Sequence, residues 1–157
     1  MSGKGAPEQG GVDASGLKVV VVAGTWHERI SEGLVAGAEQ FLEQADADYR
    51  VVRVAGSFEL PVVALGALNA GADAVVALGV IIRGGTPHFE FVSNAATDGL
   101  TRVALDTGKP VGFGVLTLDD EDQGIARAGF EGSQEDKGFE AADAAVRAAL
   151  TLRELRV

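Results

Sequence analysis

Four runs dominated by apolar residues are spread along the chain, at residues 17–23, 49–54, 74–82 and 111–116. They are rich in valine and lack the regular polar alternation of a half-exposed strand. Such runs are typical of strands that are buried on both faces of a parallel sheet. The pattern therefore predicts four parallel strands.

Helical periodicity fills the segments between and after these runs. Apolar residues recur on one helical face from residue 30 to 42 and again from 60 to 68. A long helix should begin near Thr86 and end before a Gly-Lys-Pro stop at 108–110. Two further helices are predicted, at about 120–128 and 139–155.

The element order is thus β-α-β-α-β-α-β-α-α. Because right-handed crossovers place helices on both faces of a parallel sheet, we expect a flavodoxin-like, three-layer α/β/α sandwich with a four-stranded parallel sheet. Residues 17–157 would form this single domain, after a flexible N-terminal tail at 1–16. Ligands of such sheets bind beyond the carboxyl ends of the strands. Four segments should meet there: 24–27, 56–59, 83–88 and 113–117.

Composition narrows the class of protein. The 157 residues are 46% hydrophobic and 23% charged, as in globular domains. No cysteine is present, which excludes disulfides, thiolate catalysis and cysteine-ligated metals. A net charge of −10 argues against nucleic acid or anionic membranes as partners. Since we find no signal segment or membrane-spanning run, we expect a cytoplasmic protein.

Residues 79–91 are the strongest candidate for chemistry, because an apolar run passes there through a glycine turn into a helix start. Thr86 can cap that helix, and the following proline suits its first position. Gly84 and Gly85 would let the backbone approach an oxyanion, and His88 could accept and return a proton. A histidine that only caps the helix or lines the surface is an equal alternative from these residues alone.

Two nucleotide-binding patterns are absent. Residues 79–86 match the phosphate-loop pattern except that Gly85 replaces the lysine that contacts the terminal phosphates. No G-x-G-x-x-G follows the first predicted strand. Nucleotide hydrolysis and dinucleotide binding are therefore unsupported.

Other candidates have strong structural alternatives. Ser57 and Glu59 could bind a polyol and Phe58 offers a flat face, but the first two could simply serve the next helix start. Trp26 could stack on a planar heterocycle, although a lone tryptophan more often covers the end of a core. His27 is most simply a solvated loop residue.

Phe113 and Arg127 are ambiguous. Phe113 lies in a predicted strand and would ordinarily belong to the core. Arg127 would by default pair with an acid one turn earlier, yet a guanidinium also suits forked phosphate binding. Within one subunit, nothing in the spacing brings Arg127 to His88.

In this order, these segments resemble the lumazine synthase family, which acts in riboflavin biosynthesis. The resemblance runs from about Leu17 to the C-terminus. Its blocks are 56–61, 79–91, 113–117 with Gln123 and 127–129, and 137–138 with 140–142. It implies condensation of 5-amino-6-(D-ribitylamino)uracil with 3,4-dihydroxy-2-butanone 4-phosphate, without metal or redox cofactor. It also implies a homopentamer with inter-subunit active sites.

The resemblance implies a role for each matching residue. Trp26 would stack on the pyrimidine, and the ribityl chain would be bound by Ser57, Phe58 and Glu59. The pyrimidine edge would meet the main chain of Val80, Ile81 and Ile82. His88 would transfer protons, while the phosphate would be held by Gly85, Thr86 and Arg127. Phe113 and Arg127 would come from the neighbouring subunit, where Lys137 would assist. The role of Arg83 is left open.

Some positions depart from the family pattern. Trp26 stands where phenylalanine is frequent, Gly124 where alanine is, and Asp136 where asparagine is. Some family members build icosahedral shells, and in those the turn between the last two helices is short. Here the segment 130–136 is longer and acidic, which predicts a free pentamer.

Two other functions compete with this interpretation. A non-catalytic flavin- or lumazine-binding protein would need the aromatic residues, but not His88, Thr86 and Arg127 together. A flavodoxin-type electron carrier would place its phosphate loop after the first strand, where Gly24-Thr25-Trp26 is a poor match. The residues therefore favour the enzyme.

Overall fold

The computed structural model of the chain describes residues 4–156. Its core is one parallel sheet whose strands lie in the order β2-β1-β3-β4. The strands are β1 (Lys18–Gly24), β2 (Asp48–Val54), β3 (Ala74–Ile82) and β4 (Val111–Leu118). The prediction of a four-stranded parallel sheet is confirmed, and the strand order is that of flavodoxin-like folds.

Helices cover both faces of this sheet, as the crossover rule predicts. They are α1 (Glu28–Gln44), α2 (Leu60–Asn69), α3 (His88–Thr107), α4 (Glu121–Ile125) and α5 (Lys137–Glu154). A 3₁₀ turn at Ser57–Glu59 precedes α2. One apolar core joins α1 and α5 to the sheet, and a second joins α2 and α3 to the opposite face.

The central strand β3 divides its side chains between these two cores. Val76 and Leu78 belong to the core under α1 and α5, whereas Val75 and Ala77 belong to the core under α2 and α3. All but the last residue of β3 are buried. This explains why the strand is apolar throughout and shows no alternation in the sequence.

Helices α1 and α5 approach each other closely because their contact residues are small. A Cβ built at Gly138 would overlap the carbonyl oxygen of Leu34, and one at Gly37 would overlap the carboxylate of Asp136. Asp136 caps α5, since its Oδ1 accepts a hydrogen bond from the Phe139 N–H at 3.1 Å. Any larger residue at these two glycines would push the helices apart.

The predicted helix limits need correction at two sites. Helix α3 begins at His88, two residues after Thr86, whose Oγ1 accepts a 3.4 Å hydrogen bond from the His88 N–H. Helix α4 ends at Ile125, three residues earlier than predicted. It stops there because the chain turns back at Gly129, which has a left-handed φ of 73°, and bridges Ala128 to Asp136.

The N-terminal segment is exposed over residues 4–11 but joins the core before residue 17. Ala14 is fully buried, and its N–H donates to the Ala45 carbonyl at 2.7 Å. Residues 1–3 of the predicted tail lie outside the described residues. The flexibility of the tail stays a prediction.

Candidate active site

A pocket of about 310 Å³ lies at the carboxyl ends of β1, β2 and β3. Its walls come from the loop after β1, the 3₁₀ turn after β2, the end of β3 and the first two turns of α3. The residues that line it are Trp26, His27, Gly56, Ser57, Phe58, Glu59, Val80, Ile81, Ile82, His88 and Val92. The structure therefore brings together eight of the residues singled out from the sequence, from four separate segments.

The turn after β2 is fixed by close packing. Glu59 Oε2 accepts a hydrogen bond from the Gly56 N–H at 3.0 Å. Ser57 is buried, and its hydroxyl lies so close to Gly79 of β3 that a Cβ at Gly79 would overlap it. No side chain caps the start of α2, so Ser57 is not the helix cap that the non-functional alternative expected. Its hydroxyl is held at the pocket wall instead. Glu59 does serve the start of the preceding turn, since its carboxylate holds the Gly56 N–H.

Two aromatic rings stand open beside this turn. Trp26 is 68% exposed and Phe58 is 65% exposed, so neither covers the end of the core. Gly56 lies close to the indole, since a Cβ there would lie 3.1 Å from Trp26 Cδ1 and would fit only after a small shift of the ring. The indole of Trp26 packs against the backbone of Gly56. Because both rings are exposed, each can stack on a planar or apolar ligand.

His88 opens α3 and lines the pocket from the side opposite β1 and β2. The loop before it carries Gly84, Gly85 and Thr86, all exposed. No described protein atom lies within 4 Å of a Cβ built at either glycine. Packing within the chain therefore does not account for glycine at these positions, whereas close approach of a ligand to the backbone would.

Four predicted site residues do not line the pocket of this chain: Gly85, Thr86, Phe113 and Arg127. The first two lie in the adjoining loop. The expectation that 113–117 would join the strand-end cluster is wrong at Phe113, because β4 continues to Leu118 and places Phe113 five residues before its end. Phe113 is also 49% exposed on this edge strand instead of belonging to the core.

Arg127 is half-buried and follows α4. Its Nη1 donates a hydrogen bond to the carbonyl of Gln123 at 2.9 Å. The acceptor one turn earlier is therefore a main-chain oxygen, not the acidic side chain that the sequence suggested. With this bond to its own segment, Arg127 is not among the residues that line the pocket.

Charge in the pocket is mostly negative or neutral. None of the described residues that line it is a lysine or an arginine, while Glu59 brings a carboxylate. Lys137 lies elsewhere, in ion pairs with Glu135 at 3.2 Å and Glu140 at 3.1 Å. An anionic ligand would need a cation from outside this set of residues.

Three lining residues were missed or undervalued in the sequence. His27, interpreted as a solvated loop residue, lines the pocket and has a left-handed φ of 56°. Its position directly after Trp26 was the available signal. Gly56 was visible only as part of a sequence block, because its role depends on contact with the indole. Val92 follows His88 by one helical turn, and this spacing could have revealed it.

Metal and membrane sites have no support in the part of the chain that the structure describes. No group of three or more histidine and acidic side chains is placed to hold a metal ion among residues 4–156. Over the same residues, no helix combines the length and hydropathy needed to span a bilayer.

Known proteins similar to this chain share one description. The sequence model of the 6,7-dimethyl-8-ribityllumazine synthase family matches residues 16–153. A protein of that name from Leifsonia xyli subsp. xyli is 69% identical over 157 residues, which are 99% of each chain. Its namesake from Clavibacter michiganensis subsp. michiganensis is 66% identical over 158 residues, again 99% of each chain. One from Streptomyces avermitilis is 57% identical over 156 residues, 99% of this chain and 97% of the relative. The chain therefore belongs to the 6,7-dimethyl-8-ribityllumazine synthase family.

Proposed function

We propose that this chain is a transferase that condenses 5-amino-6-(D-ribitylamino)uracil with 3,4-dihydroxy-2-butanone 4-phosphate. The products are 6,7-dimethyl-8-ribityllumazine, phosphate and water. The observation that supports this proposal most strongly is that one pocket combines exposed aromatic rings, a polar turn and a histidine at a helix start. Family membership supports the same reaction, because the relatives carry the name of this enzyme.

The pyrimidine substrate fits the side of the pocket formed by β1 and β2. We propose that Trp26 stacks on its ring and that the main chain at 80–82 meets its polar edge. The ribityl chain lies along Ser57, Phe58 and Glu59. One carboxylate oxygen of Glu59 holds the Gly56 N–H, and the other oxygen accepts from a ribityl hydroxyl.

The phosphate substrate fits the side of the pocket next to α3. There, Gly85 and Thr86 contact the phosphate through backbone and hydroxyl groups near a helix N-terminus. The uracil amine attacks the ketone to give a Schiff base with loss of water, phosphate leaves by elimination, and the ring closes with loss of a second water. Each stage moves a proton, and His88 is the group in the pocket that accepts and returns it.

A neighbouring copy of the chain completes this site in our proposal. The pocket contains no arginine or lysine among its described lining residues, although it must hold a phosphate. Phe113 is an exposed aromatic residue on an edge strand, and Arg127 is not among the residues that line the pocket of its own chain. We propose that both residues serve the adjacent subunit's pocket within a homopentamer.

The direct test of the reaction is to mix the purified protein with both substrates and to follow lumazine fluorescence. Fluorescence should appear well above the spontaneous reaction of the two compounds. A rate equal to the spontaneous one, from protein with a normal thermal transition, would exclude the proposed activity. Binding of lumazine or riboflavin without turnover would then favour the non-catalytic binding protein.

The shared site has a separate test by complementation. The His88→Ala and Arg127→Ala variants are purified singly and also co-expressed with distinguishable tags. In mixed oligomers, some interfaces pair an intact His88 with an intact Arg127, so the mixture should turn over faster than either variant alone. If both residues served one protomer's own site, mixing would restore nothing.

The cytoplasmic location inferred from the sequence stays a prediction. Its support is the metabolic reaction proposed above. Cell fractionation with an antibody against the chain would check it.

A further inference from the structure

Arg83 connects three elements beside the pocket. Its Nε donates to Asp119 Oδ1 at 3.1 Å, and its Nη1 donates to Glu90 Oε1 at 3.2 Å. Its guanidinium carbon lies 4.4 Å from the centre of the Phe89 ring. Asp119 follows β4, whereas Phe89 and Glu90 belong to the first turn of α3.

The backbone at Arg83 strengthens this connection. Its N–H donates to the carbonyl of Leu118 at 2.8 Å, so main chain and side chain both reach the end of β4. Asp119 is held in turn, because its N–H donates to Gln123 Oε1 at 2.7 Å. The two hydrogen bonds with carboxylates raise the pKa of the guanidinium, with that from Asp119 contributing most. The group therefore remains charged at every pH the protein meets.

These contacts bracket His88 in the sequence. Arg83 precedes the loop 84–87, and its side chain reaches past that loop to Phe89 and Glu90, the two residues after His88. The loop itself has few internal restraints, since Gly84 and Gly85 are exposed and the Thr86–His88 hydrogen bond is 3.4 Å long. The clamp formed by Arg83, Asp119, Phe89 and Glu90 ties the first turn of α3 to the end of β4, in addition to the packing of Phe89 and Val92 against the apolar core.

We infer that Arg83 is a positioning residue, which holds His88 at the pocket by clamping the first turn of α3 to the end of β4. Two carboxylates already engage its Nε and Nη1, and an aromatic ring covers one face, which favours this role over direct binding of the substrate phosphate. An exposed ion pair adds little stability, so the consequence should appear in catalysis more than in folding. The inference rests on the proposed function of His88.

Kinetics of Arg83→Gln provide the first measurement. We expect kcat to fall about tenfold, since misplacement of a catalytic group by about 1 Å can cost roughly a hundredfold. The KM for the pyrimidine substrate should change by less than about twofold, because its proposed contacts at 26, 57–59 and 80–82 lie outside the clamped loop. In the His88→Ala background, Arg83→Gln should cause no further loss, since it acts through that imidazole.

Conservative variants sharpen this measurement. Asp119→Asn and Glu90→Gln each leave one charged contact to Arg83. Each should therefore lower kcat, but by less than Arg83→Gln does. Arg83→Lys supplies one point charge without a fork and should restore activity only in part. The matched control is Arg102→Gln, which removes an exposed ion pair with Asp106 further along α3. Its kcat should equal that of the unmodified protein.

A second measurement does not require activity. The chain has only two histidines. Replacing one of them therefore assigns the carbon and nitrogen NMR signals of each imidazole. Arg83→Gln should shift the His88 signals and leave those of His27 in place, while Arg102→Gln should shift neither.

The outcomes separate the two proposals. Protein that forms no lumazine but shows the expected His88 shift would refute the proposed function and support the clamp. An active enzyme would refute the clamp if Arg83→Gln slowed the His88→Ala variant by the same factor as the parent. The clamp would also be refuted if Arg83→Gln alone raised the KM for the phosphate substrate at unchanged kcat, as loss of a direct phosphate ligand would.

Discussion

Replacing Gly79 with alanine should disturb the pocket from beneath. Gly79 lies in the central strand β3, under the 3₁₀ turn that carries Ser57. A Cβ there would lie less than 3.0 Å from Ser57 Oγ, 3.1 Å from Leu60 Cδ1 and 3.3 Å from Ser57 Cβ. Relief requires either rotation of the Ser57 hydroxyl or a shift of the turn, and both displace the hydroxyl of this buried residue from its place at the pocket wall.

The size of the effect follows from the kind of contact. Overpacking of this sort costs about 1–3 kcal/mol of unfolding free energy. For a chain of this length, each kcal/mol lowers the melting temperature by roughly 2–4 °C. Loss of one hydrogen bond from Ser57 to the ribityl chain would weaken substrate binding by about 0.5–1.5 kcal/mol, or roughly two- to tenfold in KM.

The assay combines thermal unfolding with steady-state kinetics on Gly79→Ala, Ser57→Ala and the double variant. Removing the hydroxyl relieves the closest contact, so the double variant should recover most of the lost melting temperature. Its KM should remain high, because the proposed ribityl contact is gone. Gly66→Ala is the control, since Gly66 is helical and no atom lies within 4 Å of its Cβ position. It should be neutral or stabilising. Gly79→Ala with unchanged stability and KM, or a double variant with no recovery, would contradict the reasoning.

Four further predictions test other parts of the molecule. Gly138→Ala should cost more than about 3 kcal/mol in thermal unfolding, because its Cβ would overlap the Leu34 carbonyl, a backbone group that cannot rotate away. Burial raises the pKa of Asp136 above its ordinary value. The folded state then binds the proton more tightly, so this group's contribution to stability falls as pH rises through the interval between its unfolded and folded pKa values. Asp136→Asn keeps the helix cap and should raise the melting temperature at pH 7 but not at pH 3. An unchanged or lower melting temperature at pH 7 would contradict the raised pKa of Asp136. His88→Ala should slow turnover by roughly 10–10³-fold without abolishing it, since orientation alone accounts for much of the rate; complete loss in a folded oligomer would count against it. Light scattering should find particles of five chains, and shell-sized particles would refute the free pentamer.

The sequence alone determined the layered architecture and the position of the site within it. Valine-rich runs without alternation predicted the strands, and helical periodicity predicted the helices between them. Both signals arise from burial of each segment against the core, so they are present at short range. The rule that ligands bind at the carboxyl ends of parallel strands then placed His88 and the turn at 56–59 together. The structure confirms this proximity.

Only the tertiary structure decided which side chains open onto that site and how they are held. Trp26 and Phe113 appear in the sequence as core residues, yet both are exposed, because exposure depends on what other elements cover. Arg83 contacts Asp119, 36 residues away, and Gly79 lies beneath Ser57. No local pattern encodes such pairs, since they arise where distant segments meet. In our proposal Arg127 serves the pocket of a second copy of the chain, so its role would depend on assembly beyond the single fold.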